Sequence, residues 1–132
     1  MEFDSSAPIW RQLKDEFTRR IAVGTWAPGA KLPGVRELAA DLGVNPNTAQ
    51  RALSELERDG LCKSERTTGR FVTDDSHAID TARGELAQAA ADVFIARATG
   101  VGMQQSRAIA LIEQRWMHHD HDPETPTPTV ET

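Results

Sequence analysis

The sequence predicts a mainly α-helical fold with one small β-hairpin, and three observations predict it. Apolar residues recur at helical spacing in five segments of the chain. The second and third segments are separated only by Gly43-Val44-Asn45, the turn length that joins a helix-turn-helix pair. Two short strand-like stretches, residues 61–66 and 70–73, follow at once and read as a hairpin wing. The expected organisation is a winged helix-turn-helix domain in residues 1–75, a two-helix region in 76–119 and a tail in 120–132.

Each element has its own signals. The first helix is expected from Pro8 to Val23, because Ile9, Leu13, Phe17 and Ile21 form one stripe and Gly24 stops it. Pro8 suits a first helical turn. Pro28-Gly29 marks a turn, and Trp26 and Leu32 are expected to pin that loop to the core. The second helix, Val35 to Leu42, places Val35, Leu38, Ala39 and Leu42 on one face and ends at Gly43. Asn45 is expected to cap the third helix, with Pro46 at its first position. That helix runs to about Asp59, with Ala49, Ala52, Leu53 and Leu56 buried. Thr67-Thr68-Gly69 is read as the hairpin turn. A fourth helix spans about His77 to Ala98, and Thr99-Gly100-Val101-Gly102 turns the chain into a fifth, about Met103 to His118. The tail from Asp120 has three prolines in thirteen residues and is expected to be disordered.

Composition removes several function classes. The chain has 132 residues and a net charge of −5. No run of about 18 apolar residues is present, so no membrane span is expected. The N-terminus has neither the basic start nor the apolar stretch of a secretory signal, and a cytoplasmic protein is the simplest expectation. A single cysteine, Cys62, excludes an internal disulfide framework and a cysteine-rich zinc site. No Gly-rich phosphate loop, cofactor lysine motif or nucleophile–base pair is recognisable, so neither an enzyme nor a cofactor is expected. The net charge conceals an asymmetry. Residues 8–73 hold eleven Lys/Arg against eight Asp/Glu, a charge of +3, whereas residues 74–132 carry −6. That balance is permissive for nucleic acid in the first part and assigns the second a different job.

Residues 8–73 resemble the GntR family of bacterial transcription regulators. The resemblance is carried in order by Pro8-Ile9-Trp10-Arg11-Gln12-Leu13, Gly24 to Pro33, and Val35-Arg36-Glu37-Leu38-Ala39. It continues through Gly43-Val44-Asn45-Pro46-Asn47-Thr48, Arg51-Ala52-Leu53, Leu56 to Leu61 and Gly69-Arg70-Phe71-Val72. The short extension after the wing resembles the YtrA-type members. The resemblance implies a homodimer held by the two extra helices and a repressor, often of a transporter operon. It also implies a base or backbone contact for Arg36.

The expected partner is double-stranded DNA. A helix N-terminus in the major groove offers N–H groups to phosphate, and its first side chains reach base edges. Asn45, Asn47, Thr48, Gln50 and Arg51 occupy that position. Asn and Gln suit adenine, Arg suits guanine, and Thr suits a base or a phosphate. Asn45 is first a cap, and Gln50 and Arg51 read equally as solvated helix residues. Pro46 and Gln50 stand where long-domain relatives often have arginines, and Gly34 where the family often has serine. The wing supplies Arg66, Thr67, Thr68, Gly69 and Arg70, whose alternative reading is an ordinary hairpin turn.

Leu86, Val93, Phe94, Ile109, Ile112 and Trp116 make an apolar stripe that two helices cannot cover alone, so pairing with a second copy is expected. A symmetric dimer implies a pseudo-palindromic operator. An unidentified small-molecule effector at the dimer interface remains an alternative, as does a winged helix that binds only protein. His118-His119-Asp120-His121-Asp122 offers metal donors, but a solvated tail is the default reading and no metal is expected. Cys62 is expected to be a small buried side chain rather than a redox sensor.

Overall fold

The computed structural model describes residues 1–120, which fall into two compact units: Met1–Leu86, and a second from Ala87 onward. The first unit contains α1 (Ile9–Ala22), α2 (Val35–Leu42), α3 (Pro46–Arg58), β1 (Cys62–Glu65), β2 (Gly69–Val72) and the first part of α4 (Ser76–Gly100). The rest of α4 and α5 (Gln105–Asp120) form the second. The expected mainly helical fold with one hairpin is the fold observed. The tail beyond residue 120 lies outside the described residues.

The core of the first unit is built where α1 meets α3. Leu13, Phe17 and Ile21 of α1 are buried against Ala52, Leu53 and Leu56 of α3, with Leu38 of α2. Ala49 and Ala52 of α3 are fully buried, and the small Ala52 side chain lies in the cluster where the two helices meet. Leu32, Leu61, Val72, Ile79 and Ala82 close the cluster. Ile9 departs from the expected stripe. It stands at the first position of α1 and is 46% exposed.

Local chemistry sets the ends of the helices. Pro8 is the N-cap of α1 rather than its first residue; its carbonyl accepts from the Arg11 and Gln12 N–H groups. The Gln12 side chain holds the preceding segment, donating to the Asp4 and Ala7 carbonyls at 2.8 Å each. Gly43 ends α2 with φ +68, a conformation glycine adopts without cost. Asp75 caps α4 by accepting from His77 and Ala78 N–H. Arg83 of α4 donates to the Ala22 carbonyl at 2.8 Å, satisfying a terminal acceptor of α1.

The hairpin is antiparallel, pairing Cys62 with Val72 and Glu65 with Gly69. Its turn is Arg66-Thr67-Thr68, one residue earlier than the sequence suggests, because Gly69 belongs to β2. The α1–α2 loop runs beside β2 as well. Lys31 bridges to Phe71, Leu32 N–H donates to the Arg70 carbonyl, and Val72 N–H donates to the Ala30 carbonyl. Trp26 of that loop rests against Phe17 with ring centroids 5.2 Å apart, and the Arg20 guanidinium lies 5.4 Å from its ring. Trp26 and Leu32 therefore pin the loop as expected.

In the second unit, α4 extends to Gly100, two residues further than expected, and the turn follows at Val101 to Gln104. Gly102, at φ +76, donates to the Thr99 carbonyl, and Met103 N–H donates to that of Ala98. No residue of α5 is buried.

Leu53 has no accessible surface, so Leu53→Ala should leave a cavity between α1 and α3. The expected loss is about 2–5 kcal/mol, read as a shift in the urea midpoint at constant slope.

Candidate nucleic-acid interface

The helix-turn-helix pair presents α3 with its buried side fixed by Ala49, Ala52, Leu53 and Leu56. Helical geometry then turns Asn47 and Arg51, one turn apart, directly away from the core. Thr48 and Gln50 lie on the flanks of that outward face. Asn47, Gln50 and Arg51 are exposed and Thr48 is half-buried. Asn45 is the cap the sequence predicts: its Oδ1 accepts from Asn47 N–H at 2.8 Å. Pro46 has no N–H, and Thr48 N–H donates to the Asn45 carbonyl at 3.0 Å. The first turn of α3 thus satisfies its backbone donors internally, and side chains are what it has left to offer. Gln50 donates to Ser54 Oγ at 3.1 Å, which holds its amide along the helix.

Arg36 is exposed in the first turn of α2, whose N-cap, Gly34, supplies no side-chain cap. Arg66, Thr67, Thr68 and Gly69 are all exposed around the hairpin turn. Arg70 is different. The pairing puts it on the same hairpin face as Cys62, where it is half-buried and its Nε is enclosed without a hydrogen-bond partner.

The cations of the first unit divide into two groups. Lys14 pairs with Asp59 at 2.6 Å, Arg19 and Arg20 with Glu16, Arg58 with Glu55, Lys63 with Glu65, and Arg83 with Asp80. The Arg19 hydrogen bond leads in holding the Glu16 carboxyl below its usual range, and Arg20 adds to it. Arg11, Lys31, Arg36, Arg51, Arg66 and Arg70 have no carboxylate partner among the described residues. Four of these six are candidates read from the sequence. Lys31 was not: a lysine before Leu-Pro carries no local signal. The Lys31–Phe71 bridge brings it to the wing, where a Cβ on Gly69 would stand 2.9 Å from Lys31 Cε. Gly69 also has φ +112, so any side chain there would be strained as well as crowded.

Cys62 is buried, and its Sγ–H points to the Leu53 carbonyl at 3.9 Å. Burial first, then the Glu57 charge, pushes the thiol up to about 11, with Arg70 pulling the other way. This is an inert core thiol, as expected. Among the described residues no group of His, Cys, Asp or Glu could hold a metal ion. His118, His119 and Asp120 end α5, while His121 and Asp122 lie outside the described residues. No helix among the described residues is long and apolar enough to cross a membrane.

Of the six predicted pairing residues, Leu86 lies in the first unit. Val93, Phe94, Ile109, Ile112 and Trp116 lie in the second. There Phe94, Ile95, Ala98, Met103, Ile109 and Ile112 line an apolar groove of about 460 Å³. Trp116 is 67% exposed.

A helix-turn-helix followed by a hairpin that shares a bridge with the preceding loop defines a winged-helix protein. The description "Bacterial regulatory proteins, gntR family" matches residues 10–72. A solved structure of a GntR family transcriptional regulator from Listeria monocytogenes is 36% identical, with a TM-score of 0.74 over 85% of this chain and 98% of that one. The HTH-type transcriptional repressor YtrA of Bacillus subtilis is 39% identical over 54% of this chain and 55% of its own length. The DNA-binding domain of AraR, solved in complex with operator ORX1, is 30% identical with a TM-score of 0.51, over 55% of this chain and 93% of that chain. The chain belongs to the GntR family.

Two outcomes follow from this geometry. Asn45→Ala should cost about 0.5–2 kcal/mol of stability by removing the α3 cap, read by thermal or urea unfolding. The folded state holds the Cys62 proton more tightly than the unfolded chain, whose thiol titrates near 9.0. The resulting stabilisation is full below pH 9 and is lost as pH rises towards 11. Unfolding midpoints between pH 8 and 11 should therefore fall less steeply in Cys62→Val than in the unsubstituted protein.

Proposed function

We propose that the chain is a sequence-specific DNA-binding transcription regulator that acts as a homodimer on a pseudo-palindromic operator and represses by occluding it. One observation carries the reading. Arg36 on α2, Arg51 on the outward face of α3, Lys31, Arg66 and Arg70 at the wing, and Arg11 at the start of α1 have no carboxylate partner among the described residues, while Lys14, Arg19, Arg20, Arg58, Lys63 and Arg83 are paired. An unpaired guanidinium is available to a phosphate or a guanine edge, and a paired one is not. Asn47 and Thr48 supply the groups that discriminate bases, and Arg36, Arg66 and Lys31 supply phosphate contacts. Asn45 serves as the cap, and Thr67, Thr68 and Gly69 let the wing approach the backbone. Arg70, half-buried on the hairpin face it shares with Cys62, is less open to DNA than Arg66. The operator complex of AraR and the name of YtrA support the same direction.

The homodimer rests on the second unit. With no buried residue in α5 and Val93, Ile109, Ile112 and Trp116 exposed, this helical pair has an apolar face that water covers poorly. A second copy presents the same face and covers it by two-fold symmetry. Functionally, residues 1–75 are then the DNA reader and 76–119 the pairing region.

Selection from random duplex DNA should enrich an inverted repeat whose half-site centres lie about 10 base pairs, or a multiple of that, apart. Arg36→Ala with Arg66→Ala should weaken binding at every sequence and flatten its salt dependence by about two phosphate equivalents. No enrichment, with no effect of the double substitution, would leave a winged helix that serves a protein partner. Ile112→Asp should convert the dimer to monomer by sedimentation and reduce affinity for the full repeat far more than for a half-site.

A further inference from the structure

We infer that Trp10 is a positioning residue that holds Arg51 as a phosphate clamp at the edge of the DNA-reading surface, an assignment that rests on the DNA-binding reading above. The Arg51 guanidinium lies 4.3 Å from the centroid of the Trp10 ring, and that of Arg11 lies 5.6 Å from the same centroid. Trp10 is half-buried in the first turn of α1, and both arginines are exposed. Neither arginine has a carboxylate partner among the described residues.

Three physical points lead from this cluster to a ligand. Both guanidiniums lie within 6 Å of one ring centroid, so two like charges are kept within about one Debye length of each other. The ring quadrupole attracts each cation but neutralises neither, so the cluster keeps its positive charge. An anion at this spot relieves the repulsion. Second, an exposed arginine loses considerable rotamer freedom when it engages a ligand, and stacking on an indole removes much of that freedom beforehand. The stacked guanidinium still presents its N–H groups at its edge. Third, Arg51 stands one turn after Asn47 on the outward face of α3. An arginine drawn sideways onto α1 is directed away from the bases that Asn47 faces and towards the flanking backbone. The occupant is a DNA phosphate rather than a base.

Trp26 shows what a tryptophan without this role looks like. It also has an arginine against its ring, but that Arg20 is paired with Glu16 at 3.2 Å. The two indoles are used differently: one anchors a loop beside a neutralised cation, the other orients a free one.

The test uses the full chain and a random-sequence duplex of about three helical turns, each about 10 base pairs, so that no operator need be known. Affinity is measured across a salt series for the unsubstituted protein, Arg51→Ala, Trp10→Ala, Trp10→Phe and the double variant Trp10→Ala/Arg51→Ala. The clamp predicts that Arg51→Ala weakens binding about three- to ten-fold and reduces the salt slope by about one phosphate equivalent. Trp10→Ala moves both quantities in the same direction, Trp10→Phe retains most of the affinity, and Trp10→Ala adds nothing once Arg51 is gone. Thermal melts identify loss of fold, and Trp10→Phe keeps a ring in place if Trp10→Ala unfolds. An unchanged slope in Arg51→Ala overturns the clamp. So does a Trp10→Ala effect of equal size with and without Arg51. If the unsubstituted protein binds no duplex even at low salt, the DNA-binding reading falls and the clamp with it. If it binds and the variants match it, only the clamp falls.

Discussion

The close approach of α1 and α3 is the constraint on which the rest of the first unit depends. Ala52 lies fully buried on α3 beside Leu53 and Leu56, in one cluster with Leu13 and Phe17. A larger side chain at Ala52 would push the two helices apart. Because the buried side of α3 is fixed, its outward side is fixed too, and Asn47 and Arg51 face away from the core for that reason alone. The same packing brings the start of α1 close enough for Trp10 to reach Arg51. At the far end, Lys14 meets Asp59 just after α3. That exposed pair contributes little energy by itself, and its value is in agreeing with the register set by the apolar contacts.

Electrostatics in this unit is a matter of allocation rather than of net charge. A charge of −5 over the chain says nothing about any one surface. Arg19, Arg58 and Arg83 each pair with a carboxylate three residues earlier on the same helix, namely Glu16, Glu55 and Asp80. Arg36 has none three or four residues away, whereas Arg51 lies against Trp10 although Glu55 stands four residues later on α3. Pairing at Arg19, Arg58 and Arg83 is therefore written locally in the sequence, whereas the free state of Arg51 is not.

That locality explains what could be read in advance. Gly43 and Asn45-Pro46 fix the turn between α2 and α3 through backbone conformation and one capping bond, both determined within a few residues. The helices, the hairpin and the GntR resemblance were legible for the same reason. Features that depend on chain segments far apart were not. Lys31 reaches the wing only through its bridge to Phe71, and Arg51 meets Trp10 forty-one positions earlier in the chain. Ile9 matches the periodicity of α1 yet stays exposed, because a stripe states which side faces inward and not how deeply each of its residues is buried. The Arg66-Thr67-Thr68 turn was placed one residue late because Gly69, a turn former by composition, is used inside a strand to make room for Lys31.

The satisfied first turn of α3 has a consequence for recognition. A helix start with free N–H groups binds any phosphate and favours contact over discrimination. Here Pro46 lacks the donor, Asn45 takes that of Asn47, and the Asn45 carbonyl takes that of Thr48. The helix is complete before any ligand arrives, so binding need not order it. In the proposed complex, contact through this turn comes from the side chains of Asn47 and Thr48, whose donors and acceptors can distinguish one base edge from another. On the proposed DNA-binding reading, backbone attraction falls to Arg36, Lys31, Arg66 and Arg51, which lie on other elements or further along α3. In that proposal, reading and holding fall to different residues. A substitution in the second set should change affinity at all sequences alike, whereas one in the first should change which sequence is preferred.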